Sequence, residues 1–344
     1  MRLLPVLLIG LLAAGPAWAA SAPGVTPLAE RATIHTNFTP NNIYPMVVAY
    51  GVERGYYEAA NIDLKIDRRS LAAPLLAPML ARGDLDLAPQ TESPSFFNLT
   101  NQGFPVKAVA TFTSVKEGRE EDTWILLSKR DVGKIKALGD LKGGVVEAGP
   151  IGSGAHFLVL AALAKAGLVP GKDVTVTNKA RSAADFVALA KADSQDAVGS
   201  IEPQATFAEK QGYAVRWKSL ADAAPWAQSV VMATSEDFAA KHGDALRKFL
   251  EIYVVSAREI NQTNGVWTDE LMKLVTGWTG MEKDVIASMG GVPYLDPNPT
   301  VSAESMTRSQ TLWVDAGTLA KPTDVNALID NKPMEDALAV VGRQ

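Results

Sequence analysis

Residues 149–156 read Gly-Pro-Ile-Gly-Ser-Gly-Ala-His and stand between an apolar run at 144–146 and a second apolar stretch at 157–166 with Lys165 near its end. The order is strand, glycine-rich turn, helix. The first backbone N–H groups of such a helix have no intrahelical acceptor, and the helix dipole adds partial positive charge there. The amides of Ser153, Gly154 and Ala155 therefore offer a seat for a small anionic or polar group. Three known motifs use similar letters, and none fits. A dinucleotide fingerprint needs Gly or Ala where Phe157 stands, and a phosphate loop needs Lys and then Ser or Thr where Ala155 and His156 stand. A nucleophile elbow needs glycines two residues either side of Ser153 and finds Ile151 and Ala155. A tight turn without ligand is the plain alternative, since glycine supplies such turns routinely.

Other polar residues follow the ends of expected strands. After a first strand at 32–35 come Asn37, Phe38 and Thr39, which combine an amide and a hydroxyl with a ring that can pack on a ligand body. After a third strand at 85–88 come Gln90, Thr91 and Glu92, whose other use is to cap the next helix. His156 lies one step into its helix, where packing alone also accounts for it. Arg181 follows a strand at 174–177 and is the guanidinium best placed for a carboxylate or sulfonate, unless it is a solvated loop charge. Glu202, before Pro203, would repel such an anion, so it would bind an amine or fix Arg181. Trp226 and Tyr294 are aromatic lids or core rings.

Enzymatic constellations are scarce. His35, His156 and His242 are widely separated, and no metal-ligand spacing connects them. The chain has no Cys, which excludes disulfides, thiolate metal sites and a Cys nucleophile. Asp84 and Asp86 read as surface or capping groups. No metal or other cofactor is expected. The net charge of −5 offers no basic excess for nucleic acid. With 47% of its residues hydrophobic, the chain can build a large core, on the order of two domains. Met1-Arg2, an apolar run at 3–14 and Ala17-Trp18-Ala19 form a secretory signal peptide over 1–19, cleaved after Ala19. No Cys follows, so the mature protein is not a lipoprotein. Nothing later reads as a membrane span, so a soluble exported protein is expected.

The elements that must position these residues alternate. A Pro- and Ala-rich tether at 21–31 leads to the first strand, and a polar loop at 36–42 ends it. Pro45 opens a helix closed at Gly55, residues 62–66 alternate as a strand, and a helix at 75–81 stops at Gly83. Ser93 or Ser95 caps the next helix, and 106–112 is a strand. A charged surface turn at 117–122 precedes a strand at 124–127. A second series starts after 140–143 and contains the opening turn, the strand at 174–177, a helix capped by Ser182 and a strand at 196–198. Residues 230–233 form a strand returning to the first half. Leu246, Phe249, Leu250, Tyr253 and Ala257 share one helical face, and 294–299 is loop before two weak helices. Such alternation favours parallel sheets covered on both faces.

Four stretches carry a resemblance. Residues 49–64, Ala-Tyr-Gly-Val-Glu-Arg-Gly-Tyr-Tyr-Glu-Ala-Ala-Asn-Ile-Asp-Leu, and residues 79–87, Met-Leu-Ala-Arg-Gly-Asp-Leu-Asp-Leu, are the first two. Asp140-Leu141-Lys142-Gly143 with the glycine-rich turn and Ala161, Leu163, Ala166, Gly167 and Leu168 is the third, and 196–198 with Glu202-Pro203 the fourth. In this order they resemble periplasmic substrate-binding proteins of ABC transporters, of the nitrate/sulfonate/taurine type that includes thiamin-pyrimidine-like members, over nearly all of the mature chain. The resemblance implies an α/β, two-lobed periplasmic binding protein fold (type II), each lobe a mainly parallel sheet flanked by helices, joined by two crossing strands. Lobe one would be 26–123 and 232–344, lobe two 124–231. The implied ligand site is the cleft between them, lined by Asn37, Phe38, Thr39, Gln90, Thr91, Glu92, Ser153, Gly154, Ala155, His156, Arg181 and Glu202.

Where relatives carry small glycine-like residues, this chain has Gln90, Thr91 and Glu92, which narrows the pocket or reads a polar edge. The expected function is capture of a small organic anion or polar molecule, such as a sulfonate, taurine or aromatic carboxylate, by a monomeric periplasmic protein that docks on an inner-membrane permease. Pyrimidine or nitrate is the alternative ligand. A sensor subunit or an exported enzyme is the alternative role, although the thiamin-pyrimidine synthase of this fold relies on a Cys-rich iron-binding stretch that has no counterpart here.

Overall fold

A computed structural model describes residues 21–40, 43–69, 71, 73–116, 123–180 and 183–344. The strands are β1 (Ala32–Asn37), β2 (Ile62–Asp67), β3 (Leu87–Thr91), β4 (Val106–Thr113), β5 (Thr123–Ser128), β6 (Val145–Glu147), β7 (Thr175–Thr177), β8 (Ala197–Ile201), β9 (Ala214–Ser219) and β10 (Val230–Ser235). They form two sheets of equal size, β2-β1-β3-β10-β4 and β7-β6-β8-β5-β9. The chain leaves the first sheet after Thr113 and returns to it at Val230. The first strand entered after each crossing, β5 and then β10, takes the fourth place and runs antiparallel to both neighbours. The two sheets are thus copies of one plan, in which β1, β2 and β3 correspond to β6, β7 and β8 as parallel sets.

In lobe one the helices are α1 (Met46–Glu53), α2 (Tyr56–Ala59), α3 (Ala73–Arg82) and α4 (Pro94–Asn101). Lobe two carries α5 (Gly154–Lys165), α6 (Ala183–Ala192), α7 (Gln204–Lys210) and α8 (Leu220–Ala223). After β10 follow α9 (Glu236–Lys241), α10 (Gly243–Asn261), α11 (Asp269–Thr279), α12 (Lys283–Ser288), α13 (Ala303–Asp315) and α14 (Lys332–Val341). The expected face of α10 is buried at Leu246, Phe249, Leu250, Tyr253 and Ala257. With Ile34, Val47, Ile286 and Met334 it forms the core over one face of the first sheet.

A second core runs from Leu80 and Phe97, on the other face of that sheet, to Phe157 of α5 in lobe two. Helix α13 makes this continuity. Its Trp313 is fully buried, donates from Nε1 to the Glu92 carbonyl at 2.7 Å, and packs against His156 and Phe157 of α5 at 5.1 and 6.2 Å between ring centroids. Trp313→Ala should lower unfolding stability by about 3–5 kcal/mol, because a cavity opens where both lobes meet. Urea denaturation checks this, and a loss under about 1 kcal/mol would contradict the packing described.

Several expectations need correction. Residues 21–31 are no tether: Ala22 and Val25 are buried in the lobe-one core, and the Leu28 amide bonds the Ala60 carbonyl at 3.1 Å. The third strand lies two residues later than expected, so Gln90 and Thr91 belong to β3 and not to the loop after it. Pro89 stands within this strand although proline cannot donate to a sheet ladder. It is tolerated because β3 pairs with β1 only at Leu87. β1 extends through Asn37, and β8 absorbs Gly199, Ser200 and Ile201. Strand β9 went unread, since Arg216 and Lys218 disguise an edge strand beside β5. The expected signal peptide and the charged turn at 117–122 lie outside the described residues.

Candidate functional site

The glycine-rich turn is anchored from below. Glu147, the last residue of β6, is fully buried, and its carboxylate accepts from the Gly149 amide (3.0 Å), the Thr177 hydroxyl (2.6 Å), and the Lys179 and Ala180 amides (2.9 and 3.1 Å). One side chain thereby fixes the loops that follow both β6 and β7. Glycine is required twice in this turn. Gly149 has φ +72° and a Cβ there would stand 2.7 Å from the Phe186 ring; Gly152 has φ +86° and a Cβ there would stand 3.1 Å from Ser93 Cβ. The second contact is between lobes, because Ser93 precedes α4 at the end of β3.

Helix α5 begins at Gly154, earlier than the apolar pattern suggested, with Ser153 as its cap. The Ser153 hydroxyl accepts from the His156 amide at 3.2 Å, while the Ser153 amide donates to the Pro150 carbonyl at 3.0 Å. That corrects the expected seat of three amides: Ser153 closes the turn, and the first-turn amides of Gly154 and Ala155 are the pair left for a ligand. His156 is buried edge-on to Trp313, its Nδ1 has no partner, and burial pushes its pKa down to about 4, leaving the ring neutral at pH 7.

In lobe one, Gln90 is buried with Nε2 unpartnered. Glu92 is fully buried and neither carboxyl oxygen has a partner; the Ser309 hydroxyl is near enough to favour ionisation slightly but is not placed to complete a hydrogen bond. Burial dominates and pushes the Glu92 pKa up to about 8, so this side chain is mainly protonated at pH 7. Thr91 and Thr39 are half-buried. Asn37 ties down the loop after β2 by donating to the carbonyls of Asp67 and Arg69, both at 3.0 Å. Phe38 is fully buried in the lobe-one core, stacked on Phe112 at 5.8 Å, which is a packing position and not a ligand-facing one.

Arg181 and Ser182 lie outside the described residues. Glu202 is engaged elsewhere than expected: Arg216 of β9 pairs with it at 2.7 Å, and the Thr206 amide donates to its other oxygen at 3.1 Å. It is therefore already satisfied within lobe two, and the amine-binding role expected of it loses its basis. Trp226 stacks under Arg308 at 4.3 Å and Tyr294 under Lys116 at 4.8 Å.

The structure thus brings Gly152 and Ser93 together across the lobes and places Glu92 and His156 against α13, with Gln90 buried in β3. Glu147, Arg216 and Trp313 were missed. A carboxylate closing the apolar run Val145-Val146 just before a glycine-rich turn was a visible signal for Glu147; the other two depend on distant contacts. Among the described residues no group of three or more His, Asp or Glu could hold a metal ion. Such buried residues can desolvate a ligand and offer it hydrogen bonds. No two of Gln90, Glu92 and His156 are hydrogen-bonded as an acid–base pair.

The sequence model of the NMT1/THI5-like family matches residues 41–261. Comparison with curated proteins returns no match. Among solved structures, the ligand-binding component of an ABC-type import system from Staphylococcus aureus, with zinc bound, has 17% identity and a TM-score of 0.69, covering 89% of this chain and 99% of that one. The periplasmic aliphatic sulphonate-binding protein SsuA from Escherichia coli has 22% identity and a TM-score of 0.64, over 87% of this chain and 92% of its own. The desulfurization enzyme DSZB has 13% identity and a TM-score of 0.58, over 90% and 99%. At these identities the likeness is one of fold, and the two-lobed architecture is that of the periplasmic binding proteins.

Proposed function

Because the chain belongs to the NMT1/THI5-like family, we propose that it is the periplasmic solute-binding component of an ABC importer. It captures a small organic anion or polar molecule between its lobes and presents it to an inner-membrane permease. The observation that carries this reading is the close approach of Gly152 to Ser93, where a Cβ at 152 would stand 3.1 Å from the Ser93 Cβ. It brings the loops after β6 and β3 together, and ligands of open α/β sheets sit outside the carboxyl ends of parallel strands. The leader at 1–19 directs export, and the imports and sulphonate binding of the structural relatives agree with the role.

In this reading the Gly154 and Ala155 amides take the anionic end of the ligand, Arg181 supplies the counter-charge, and Gln90 reads a polar edge. Glu202 does not oppose an anion, because Arg216 neutralises it. No bond is made or broken. Contacts from both lobes exist together only in the closed form, so the ligand shifts the balance toward closure.

A thermal-shift panel of sulfonates, aromatic carboxylates, pyrimidines and polyamines tests the reading. One anionic class should raise the melting temperature by mass action, and Arg181→Ala should weaken that ligand roughly ten- to a hundredfold, the worth of a charge-assisted hydrogen bond. A panel with no shift would count against capture. The fold shared with DSZB keeps a catalytic reading in view; consumption of the stabilising compound during incubation would favour it.

A further inference from the structure

Arg216 does more than neutralise Glu202. Its side chain, 16% exposed, donates from Nη2 to Glu202 at 2.7 Å and to the Thr206 hydroxyl, and Nη1 pairs with Glu209 at 3.3 Å. The same guanidinium reaches across to lobe one, where Nη1 and Nη2 donate to the Ser288 carbonyl at 3.4 and 3.3 Å. The Thr206 hydroxyl stands 3.4 Å from that same oxygen. Ser288 is the last residue of α12, and α12 is fixed in lobe one by Ile286, in one core with Ile34 and Val275. Carbonyls in the last turn of a helix lack intrahelical donors and carry partial negative charge. The Val292 amide, four residues on, bonds Gly265 instead, so the Ser288 oxygen is left to donors from lobe two. One turn earlier, Lys210 of α7 donates to the Asp284 carbonyl at 3.0 Å.

We propose that Arg216 is the positioning residue of capture: it ties Glu202, at the carboxyl end of β8, to the end of α12, so that the loop ends of lobe two and the body of lobe one close as one piece. The proposal rests on the solute-binding reading for its purpose, but the geometry and its test do not need a ligand. The forked guanidinium suits the task because it can serve a carboxylate and a carbonyl simultaneously, which a lysine ammonium in the same place does less well.

Since the chain has no Cys, Val169→Cys and Val340→Cys introduce two unique labelling positions. Val169 lies beyond α5 in lobe two and Val340 on α14 in lobe one, exposed by 47% and 43%. Spin labels on both report the interlobe distance by pulsed electron paramagnetic resonance, without ligand. The labelled parent should show a resolved closed distance beside the open one. Arg216→Ala should raise the ratio of open to closed forms roughly tenfold or more, as expected for a lost charge-assisted bond, and Arg216→Lys should fall between. If Arg216→Ala does not fold, Lys210→Ala, at an exposed contact of the same seam, should still broaden the distribution. A parent that is wholly open, or variants whose distributions superimpose on the parent's, would overturn the latch. Either result leaves the ligand screen untouched, and a blank screen leaves the distance measurement valid.

Discussion

Glu147→Ala is expected to lower stability by roughly 3–5 kcal/mol, the range for breaking a buried charged network, and to abolish capture where the fold survives. The carboxylate accepts from three backbone amides and a hydroxyl drawn from two loops, with no exposure to solvent. Removing it leaves those donors without acceptors, each costing about 1–3 kcal/mol if water cannot enter. Partial hydration of the cavity brings the sum down to the stated range. Glu147→Gln keeps the volume but offers one acceptor oxygen, so it should be destabilising by a smaller amount. Hydrogen exchange provides the local readout: the Gly149, Lys179 and Ala180 amides should lose protection ahead of the rest of lobe two. Unchanged protection at these amides would mean that the loops are held by something else.

The second large effect is a dependence on pH centred on Glu92 and His156. The folded-state pKa of Glu92 is raised from 4.5 to about 8. Between those values the unfolded chain is ionised while the folded one keeps its proton, so the folded state binds more protons and stability falls as pH rises. For His156 the folded pKa is lowered from 6.5 to about 4. There the unfolded chain binds the extra proton, and stability rises with pH over that window. Each slope is about 1.4 kcal/mol per pH unit at most. The two nearly cancel from about 4.5 to 6.5, and the Glu92 contribution alone remains from about 6.5 to 8. We expect denaturant-derived stability to fall across that upper interval in the parent and to stay level in Glu92→Gln, with the variant more stable at pH 8. Parallel curves for parent and variant would refute the protonated state of Glu92.

Much of the scaffold was readable because strand and helix alternate with different apolar periods, and because helix α10 repeats its buried face over Leu246, Phe249, Leu250, Tyr253 and Ala257. The glycine-rich turn was readable for the same local reason. What escaped is what tertiary contact decides. Ser153 looked like a free amide until the Pro150 carbonyl folded back onto it. Glu202 invited pairing with the cation next in view, Arg181, whereas the sheet places Arg216 beside it. Phe38 followed a strand end like a ligand-facing ring, yet the next layer of lobe one covers it. Nothing near Trp313 in the chain announces that its indole meets Glu92, 221 residues away.

That last contact bears on how the molecule is assembled in time. Helix α13 comes after every strand of both sheets in chain order, and it supplies the wall between Phe97 of lobe one and Phe157 of lobe two. A nascent chain lacking it would hold two sheets whose shared apolar faces remain wet. The apolar layer shared by the lobes therefore cannot finish early, whereas the core around α10 contains no residue of α13. That layer must wait for one late helix and stays unfilled until synthesis has passed residue 315.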